Sequence, residues 1–351
     1  MMSVVLADII FILCKGCDLM NNFIKDIDNI LDYIEENDKF LVTSHVSPDG
    51  DNIGSSLSIN NFLKKIGKEV IYVLDDNYPE NLMFLYDEDV KKESSDVKSS
   101  DYTVIALDAG DYSRICVDKN ILEDSKGIIC IDHHVTNGNY GFLKYIDVEG
   151  SSTCELVYNL IMRYEERFNR KIIDEDIATY LYAGLITDTG NFQYSNTEES
   201  SFFMAAELIS RGAKKSYLVE KLFQSNSLEF YKILGEALEN LEIIDSKISI
   251  TAVAKEMMDK HKVKYDDIDG ITPYTRDIKG VELGIFIKEK EIGEIKVSFR
   301  SKNYVDCSKL ASEFGGGGHI RAAGCTIKDL NIDLVRKLLI EKAVEYINIK
   351  N

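Results

Sequence analysis

Hydrophobic positions in the first half of the chain alternate between two spacings. Short apolar runs rich in β-branched residues occupy residues 40–44, 69–74, 102–107 and 127–131, as is typical of buried parallel strands. Between them, apolar residues recur at helical spacing, for example over residues 53–66. Alternation of strand and helix predicts repeated βαβ units, and therefore an α/β fold with a doubly wound, mainly parallel sheet.

The pattern at the start of the chain predicts a helix over residues 21–38, preceded by an extension of residues 1–20. Residues 3–13 are nearly all apolar, but Asp8 interrupts them and no Lys or Arg precedes them. They also fall short of the about 18 apolar residues that a membrane span needs. We therefore expect neither a signal peptide nor a membrane anchor.

The second half of the chain predicts a helical segment followed by a smaller α/β domain. Residues 201–245 have a helical pattern, with one helix expected over residues 228–241, whereas residues 295–299 are an apolar strand-like run. We predict a catalytic domain over residues 21–205, a helical connector over 206–245 and a second domain over 246–351.

Composition narrows the class of protein. The chain has 351 residues, of which 45% are hydrophobic and 29% charged, so it is an ordinary folded protein of about two domains. Lys and Arg number 41 against 60 Asp and Glu, a net charge of −19, which argues against long duplex nucleic acid as a partner. Seven scattered cysteines indicate a reducing compartment, and we expect a cytoplasmic protein; Cys14 and Cys17 form a lone C-x-x-C that we interpret as incidental thiols.

Histidine and aspartate residues follow the apolar runs. In a doubly wound sheet, ligands bind beyond the carboxyl ends of the strands, where residues 45–55, 108–111 and 132–134 are expected. A further apolar helical run, residues 177–186, is followed by Asp188. Imidazole and carboxylate ligands suit Mn²⁺, Mg²⁺ or Fe²⁺, and the lack of cysteine among them disfavours structural zinc. Carboxylates crowded at one sheet edge repel unless cations neutralise them. The sequence therefore predicts a divalent-metal centre.

These motifs resemble the DHH phosphoesterases, whose name is the triplet at residues 132–134. The segment H-x-x-P-D-x-D-x-x-G-S at residues 45–55, Asp108, the triplet and Asp188 follow in the family's order, and residues 315–324, GGGGHIRAAG, resemble the signature of the DHHA1 domain. Within the family, GLITDTGNF at residues 184–192 and VSFRS at 297–301 are similar to the nanoRNase type, oligoribonucleases that also dephosphorylate 3′-phosphoadenosine 5′-phosphate (pAp).

The resemblance implies two divalent ions, Mn²⁺ in preference to Mg²⁺. It assigns one ion to His45 and Asp49, the other to Asp51, His133 and Asp188, and both to Asp108. Two ions about 3.5 to 4 Å apart can share a water, lower its pKa to make hydroxide and clamp the oxygens of an in-line displacement. No covalent enzyme intermediate is then needed.

The resemblance also implies the catalytic residues, Asp108, Asp132 and His134. Asp132 would orient a ligating imidazole, and His134 would contact phosphate and assist protonation of the leaving oxygen. Small residues beside a His and an Arg let backbone N–H groups approach an anion, although the glycine run could instead be a flexible linker. We predict the following substrate-binding residues: His134, Arg276, Arg300, Ser298, Ser301, Gly317, Gly318 and His319. We expect the remaining histidine, His261, to lie at the surface.

The resulting expectation is a two-metal phosphoesterase that hydrolyses very short RNA to mononucleotides and pAp to AMP. No membrane partner is expected, and the family resemblance is compatible with a homodimer. Two alternatives keep the fold and change the substrate: a phosphodiesterase of cyclic-di-AMP or pApA, and a family II inorganic pyrophosphatase. A third alternative is a metal or nucleotide sensor without turnover.

Overall fold

The computed structural model describes residues 17–318 and 320–348, with side chains from residue 22 onward. The chain divides into two compact units, and the boundary lies between Ser225 and Asn226, inside the predicted connector of residues 206–245. The predicted extension, apart from residues 17–20, lies outside the described residues, as do Cys14 and His319. No helix in the described part of the chain is long and apolar enough to cross a membrane.

A six-stranded parallel sheet forms the centre of the first unit, in the order β3-β2-β1-β4-β5-β6. The predicted strands are present, with shifts of one residue at some ends, and two short edge strands are added. The strands are β1 (Lys39–Thr43), β2 (Glu69–Val73), β3 (Lys91–Lys92), β4 (Thr103–Leu107), β5 (Ile128–Asp132) and β6 (Leu143–Ile146).

Seven α-helices accompany this sheet among the described residues of the first unit: α1 (Cys17–Glu36), α2 (Gly50–Lys65), α3 (Lys119–Glu123), α4 (Thr153–Phe168), α5 (Glu175–Asp188), α6 (Glu199–Ser210) and α7 (Lys215–Phe223). Short 3-10 helices cover Glu80–Leu85, Ser94–Asp96 and Tyr112–Arg114. Helix α2 begins three residues before the predicted start, because the Asp49 carboxylate accepts the backbone N–H groups of Asp51 and Asn52 and caps the helix.

Both faces of the first sheet are covered, as expected for a doubly wound fold. Phe40 and Val42 of β1 pack in the large core that also contains residues of α1, α2, α4 and α5. Leu41 points to the opposite face, where Ile115 and Leu122 complete a smaller core. Because side chains alternate along a strand, burial on both faces explains why the strands are continuous apolar runs.

The second unit contains a mixed sheet in the order β11-β12-β10-β9-β8-β7, in which only β8 and β9 are parallel. Its strands are β7 (Glu242–Ile244), β8 (Ile248–Val253), β9 (Leu283–Glu291), β10 (Glu294–Ser301), β11 (Gly317–Gly318) and β12 (Ala322–Lys328). Its helices are α8 (Leu228–Glu239), α9 (Lys255–His261), α10 (Thr272–Arg276), α11 (Cys307–Ser312) and α12 (Ile332–Asn348), with a 3-10 helix over Tyr265–Ile271.

Two details of the second unit correct the sequence-based expectations. The helical pattern predicted up to residue 245 ends at Glu239, and the chain then enters β7. His261 was predicted to lie at the surface, but only 14% of its side chain is exposed, and its Nε2 lies 2.5 Å from Glu236 Oε2. Local apolar spacing did not reveal either feature, since both depend on packing between α8, α9 and β8.

Candidate metal centre

The strand order places the polar segments of the first unit side by side. β1 and β4 are neighbours in the middle of the sheet, and the strand order runs outward from them in opposite directions. At such a reversal, loops that leave the carboxyl ends of the strands separate and open a crevice. The segments that begin with His45, Asp108 and Asp132 lie at the carboxyl ends of β1, β4 and β5, respectively.

His45, Asp49 and Asp108 form a first group of possible metal ligands. Nε2 of His45 lies 3.8 Å from Asp49 Oδ2 and 3.3 Å from Asp108 Oδ2. Nδ1 of His45 lies 2.7 Å from the carbonyl oxygen of Val46. Because a carbonyl only accepts, this contact uses Nδ1 as a donor and leaves Nε2 to face the carboxylates.

Asp51, His133 and Asp188 form a second group. Nε2 of His133 lies 3.3 Å from Asp188 Oδ2 and 4.0 Å from Asp51 Oδ2, whereas its Nδ1 lies 3.2 Å from the carbonyl oxygen of Gly150. The same Nε2 is 3.6 Å from Asp108 Oδ1. Nδ1 of His134 is also 3.6 Å from Asp108 Oδ1, so Oδ1 faces His133 and His134 while Oδ2 faces His45, and this carboxylate lies between the two groups.

Close helix packing brings two of these carboxylates together. Helices α2 and α5 approach at Gly54 and Gly184, and a Cβ on Gly184 would lie 2.8 Å from Asp51 Oδ1. Asp51 is at the start of α2 and Asp188 is the last residue of α5, so this contact places both at one end of the helix pair. Small residues at the crossing are therefore required by the site as well as by the core.

The DHH triplet contributes a second structural feature beside the ligands. Nδ1 of His134 lies 2.7 Å from Asp132 Oδ1, and the other oxygen of Asp132 accepts a hydrogen bond of 2.5 Å from Asn137 Nδ2. Asp132 is fully buried. Burial raises its pKa, but the hydrogen bonds from His134 and Asn137 outweigh burial and lower it, so Asp132 stays ionised and fixes the imidazole of His134.

The ionisation of the cluster indicates a shortage of positive charge. Burial, and then the neighbouring carboxylates, raise the pKa values of Asp108 and Asp188 well above the usual range. Burial lowers the pKa of His133, but Asp188, Asp108 and Asp51 outweigh burial and raise it to about 10. Four aspartates share the site with His45 and His133, so cations must supply the missing charge if all four are to be ionised.

Of the predicted substrate-binding residues in the second unit, four lie on or beside β10 and α10. Ser298 and Ser301 are buried, and the Ser301 hydroxyl donates to the carbonyl oxygen of Val305 at 2.7 Å. Arg300 is half-buried, and its Nη1 donates to the carbonyl oxygen of Phe299 at 3.0 Å. Arg276 is also half-buried, and its Nε and Nη2 lie 2.7 Å from an oxygen of the adjacent Asp277.

The glycine run is an edge strand and not a flexible linker. Gly317 and Gly318 form β11 and pair with residues 323–324 of β12. A Cβ on Gly316 would overlap with β12, and Gly318 has a φ of 140° that favours glycine. His319, which follows directly, lies outside the described residues.

Comparison with known proteins explains why both halves carry these motifs. Residues 39–185 match the DHH family, N-terminal domain, and residues 245–346 match the DHHA1 domain. The bifunctional oligoribonuclease and PAP phosphatase NrnA of Thermus thermophilus is 32% identical over 305 residues, which are 87% of this chain and 89% of the relative. The chain belongs to the DHH family. It is a metal-dependent phosphoesterase of the type that combines DHH and DHHA1 domains.

Two further relatives of this DHH protein differ in their named activities. An exopolyphosphatase-related protein from Bacteroides fragilis is 28% identical in sequence to this chain, and its crystal structure superposes with a TM-score of 0.82. The match covers 92% of this chain and 96% of that protein's chain. The cyclic-di-AMP phosphodiesterase GdpP of Geobacillus thermodenitrificans is 26% identical over 336 residues. Those residues are 89% of this chain but 48% of the relative, so the chain spans about half of that protein.

The donor set of the DHH site fits divalent metal ions. Ligand atoms at about 2.1 Å from one ion lie about 3 to 3.5 Å from each other, a range that includes the 3.3 Å separations at His45 and His133. All donors are oxygen or imidazole nitrogen, which suits Mn²⁺ and Mg²⁺. Each histidine is fixed through Nδ1 by a carbonyl oxygen, an arrangement that is common for metal-ligating imidazoles.

Sequence reasoning missed three residues that hold these groups: Asn137, Thr153 and Asn196. Asn137 donates to Asp132, and Thr153 donates to Asp51 and Asp108. The Asn196 amide donates to the main-chain oxygens of Ser151 and Asp188. Asn137 lies three residues after the triplet, so proximity could have suggested it. No comparable sequence pattern marks Thr153 or Asn196.

Proposed function

We propose that this protein hydrolyses very short RNA oligonucleotides to mononucleotides and dephosphorylates pAp to AMP. The observation that carries the proposal is the pair of ligand groups joined by Asp108 at the carboxyl edge of the sheet. The choice of substrate is supported by the Thermus thermophilus relative, whose name states both activities and which matches 87% of this chain.

In this proposal, His45 and Asp49 would hold one ion, Asp51, His133 and Asp188 would hold the other, and Asp108 would serve both. When bound, divalent ions, Mn²⁺ in preference to Mg²⁺, would supply neutralisation of phosphate charge and activation of water near neutral pH. The protein contributes a preorganised set of carboxylates that are already close together, with Asp51 and Asp108 buried, so little reorganisation is needed during the reaction.

His134 is assigned to the leaving oxygen. Its Nδ1 is held by the buried Asp132 carboxylate, which fixes the ring orientation. We assign proton transfer to Nε2, the opposite ring nitrogen. Asn137 supports this arrangement because its amide holds the second oxygen of Asp132.

Phosphate recognition is assigned to the DHHA1 domain. Arg300 and Arg276 supply guanidinium groups, and Gly317, Gly318 and His319 supply backbone N–H groups with a neighbouring imidazole. The hydroxyl groups of Ser298 and Ser301 complete the predicted set. Local recognition of this kind agrees with a chain of net charge −19, which has no general affinity for polyanions.

The proposal is tested by assaying metal-free protein reconstituted with Mn²⁺ or Mg²⁺ against pAp, di- to pentaribonucleotides, a long RNA, cyclic-di-AMP, pApA and pyrophosphate. We expect mononucleotides from the shortest RNAs and phosphate from pAp, with Mn²⁺ more effective than Mg²⁺. Preferential hydrolysis of cyclic-di-AMP or pyrophosphate would overturn the substrate assignment and retain the metal site. Metal binding without turnover of any substrate would support a sensor.

A homodimer and a cytoplasmic location stay predictions. The first is measured by light scattering of the purified protein.

A further inference from the structure

The start of helix α4 contacts both groups of predicted ligands. The backbone N–H of Thr153 donates to Asp51 Oδ2 at 2.6 Å, and the next N–H, that of Cys154, donates to Asp51 Oδ1 at 2.8 Å. The Thr153 hydroxyl donates to Asp108 Oδ1 at 2.9 Å. One residue therefore joins a carboxylate of the second group to the carboxylate that lies between the groups.

We propose that Thr153 is a positioning residue that sets the orientation of Asp108 for metal binding. Asp108 has a φ of 56°, so its backbone already adopts a conformation that is uncommon outside glycine. The hydroxyl bond holds Oδ1, which faces His133 at 3.6 Å, and leaves Oδ2 facing His45 at 3.3 Å. This inference rests on the proposed metal ligands and adds a residue that does not itself touch the ions.

The local structure makes the Thr153 hydroxyl specific for this task. Thr153 is fully buried and is the first residue of α4, which Ser152 caps by accepting the N–H of Glu155. The backbone N–H of Thr153 and its hydroxyl therefore point to two different carboxylates from a fixed helix end. Replacement of the hydroxyl by a methyl group keeps the shape and the backbone bond to Asp51, and removes only the bond to Asp108.

The experiment compares Mn²⁺ affinity in two pairs of variants that differ only in the hydroxyl: wild type with Thr153→Val, and Thr153→Ser with Thr153→Ala. Affinity is measured by isothermal titration calorimetry on the full chain without substrate. Removal of a group that orients a ligand weakens metal binding by about 10- to 100-fold. We expect Mn²⁺ affinity to fall by that factor in Thr153→Val and Thr153→Ala, and to change by less than about threefold in Thr153→Ser.

Thr179→Val is the matched control. Thr179 is also buried in the first unit, and its hydroxyl donates to the main-chain oxygen of Glu175 at 2.6 Å, on α5. We expect this variant to lower the melting temperature of the metal-free protein without changing Mn²⁺ affinity. A purely structural role of Thr153 predicts the same behaviour for Thr153→Val.

Equal Mn²⁺ affinity within either hydroxyl pair would overturn the inference, and the second pair decides the question if Thr153→Val does not fold. The outcome is separable from the proposed function, because metal affinity is measured without RNA or pAp. If the wild type binds Mn²⁺ but cleaves neither substrate, the substrate proposal fails while the affinity difference still tests Thr153. As an independent readout, excess Mn²⁺ is expected to restore turnover in Thr153→Val with KM for substrate unchanged.

Discussion

Asp108 in the first unit and Glu282 in the second are both almost completely buried, with 2% and 3% exposure, but they are surrounded differently. The Glu282 carboxylate accepts four N–H groups, three from the backbone of residues 303–305 and one from the Asn303 side chain. Asp108 accepts the hydroxyl of Thr153, and histidines and other carboxylates surround it in place of backbone N–H groups.

The two environments shift the carboxylate pKa values in opposite directions. Burial raises the pKa of Glu282, but the N–H groups of Val305, Tyr304 and Asn303 outweigh burial and lower it. Burial and neighbouring carboxylates both raise the pKa of Asp108. A buried carboxylate that the protein fully satisfies is structural, whereas one that it leaves short of donors and beside other carboxylates is suited to a cation.

The largest effect is expected for Asp108→Asn, which keeps the shape of the side chain and removes its charge. We expect turnover to fall by at least about 1000-fold, because both ions lose a common ligand. Steady-state kinetics and Mn²⁺ titration measure the change. Asp111→Asn is the control, since Asp111 is an exposed carboxylate that caps a 3-10 helix through Ser113. Equal activity in the two variants would contradict the assignment of Asp108 as a metal ligand.

A smaller loss is expected for His134→Gln, which separates proton transfer from ion binding within the first unit. Loss of a general acid typically costs about 100- to 10,000-fold in rate, and we expect kcat to fall in the lower part of this range. Mn²⁺ affinity is expected to change by less than about threefold, because His134 is not an assigned ligand. A large drop in Mn²⁺ affinity would instead make His134 a metal ligand.

In the second unit, the Arg300→Ala variant tests whether Arg300 recognises the substrate phosphate. We expect KM for pAp to rise about 10- to 100-fold with bound Mn²⁺ unchanged, since a guanidinium–phosphate contact is charge-assisted. Arg336→Ala is the matched control, because Arg336 lies in the same unit and pairs with Glu242 at the surface. Unchanged KM in Arg300→Ala would show that Arg300 does not recognise the substrate.

The smallest effect on activity is expected for Glu282→Gln. This change should lower the free energy of unfolding by about 1 to 3 kcal/mol at neutral pH, with kcat within about threefold of the wild type. Because the folded pKa of Glu282 lies below its ordinary value of 4.5, its stabilisation is present above that pH and is lost as the pH falls through the folded pKa. Denaturant unfolding as a function of pH should therefore show the difference between the two proteins shrinking in acid. A difference that grew in acid would contradict the assignment of Glu282 as a structural carboxylate.

The βαβ architecture and the grouping of the predicted ligands follow from the apolar pattern of the chain. Strands buried on both faces are apolar runs, and the carboxyl ends of parallel strands meet at one edge, so His45, Asp108 and Asp132 had to lie near each other. Asp188 was placed correctly at a helix end by apolar spacing, although nothing local shows that α5 crosses α2 so closely.

The residues that hold the predicted ligands in place depend on long-range packing. Thr153 meets Asp51 across 102 positions of the chain and Asp108 across 45, and a threonine at the start of a helix has no pattern that reveals either contact. The glycine run likewise became a strand only through pairing with β12. Periodicity records which face of an element is buried, whereas the pairing of polar atoms depends on how distant elements pack against each other.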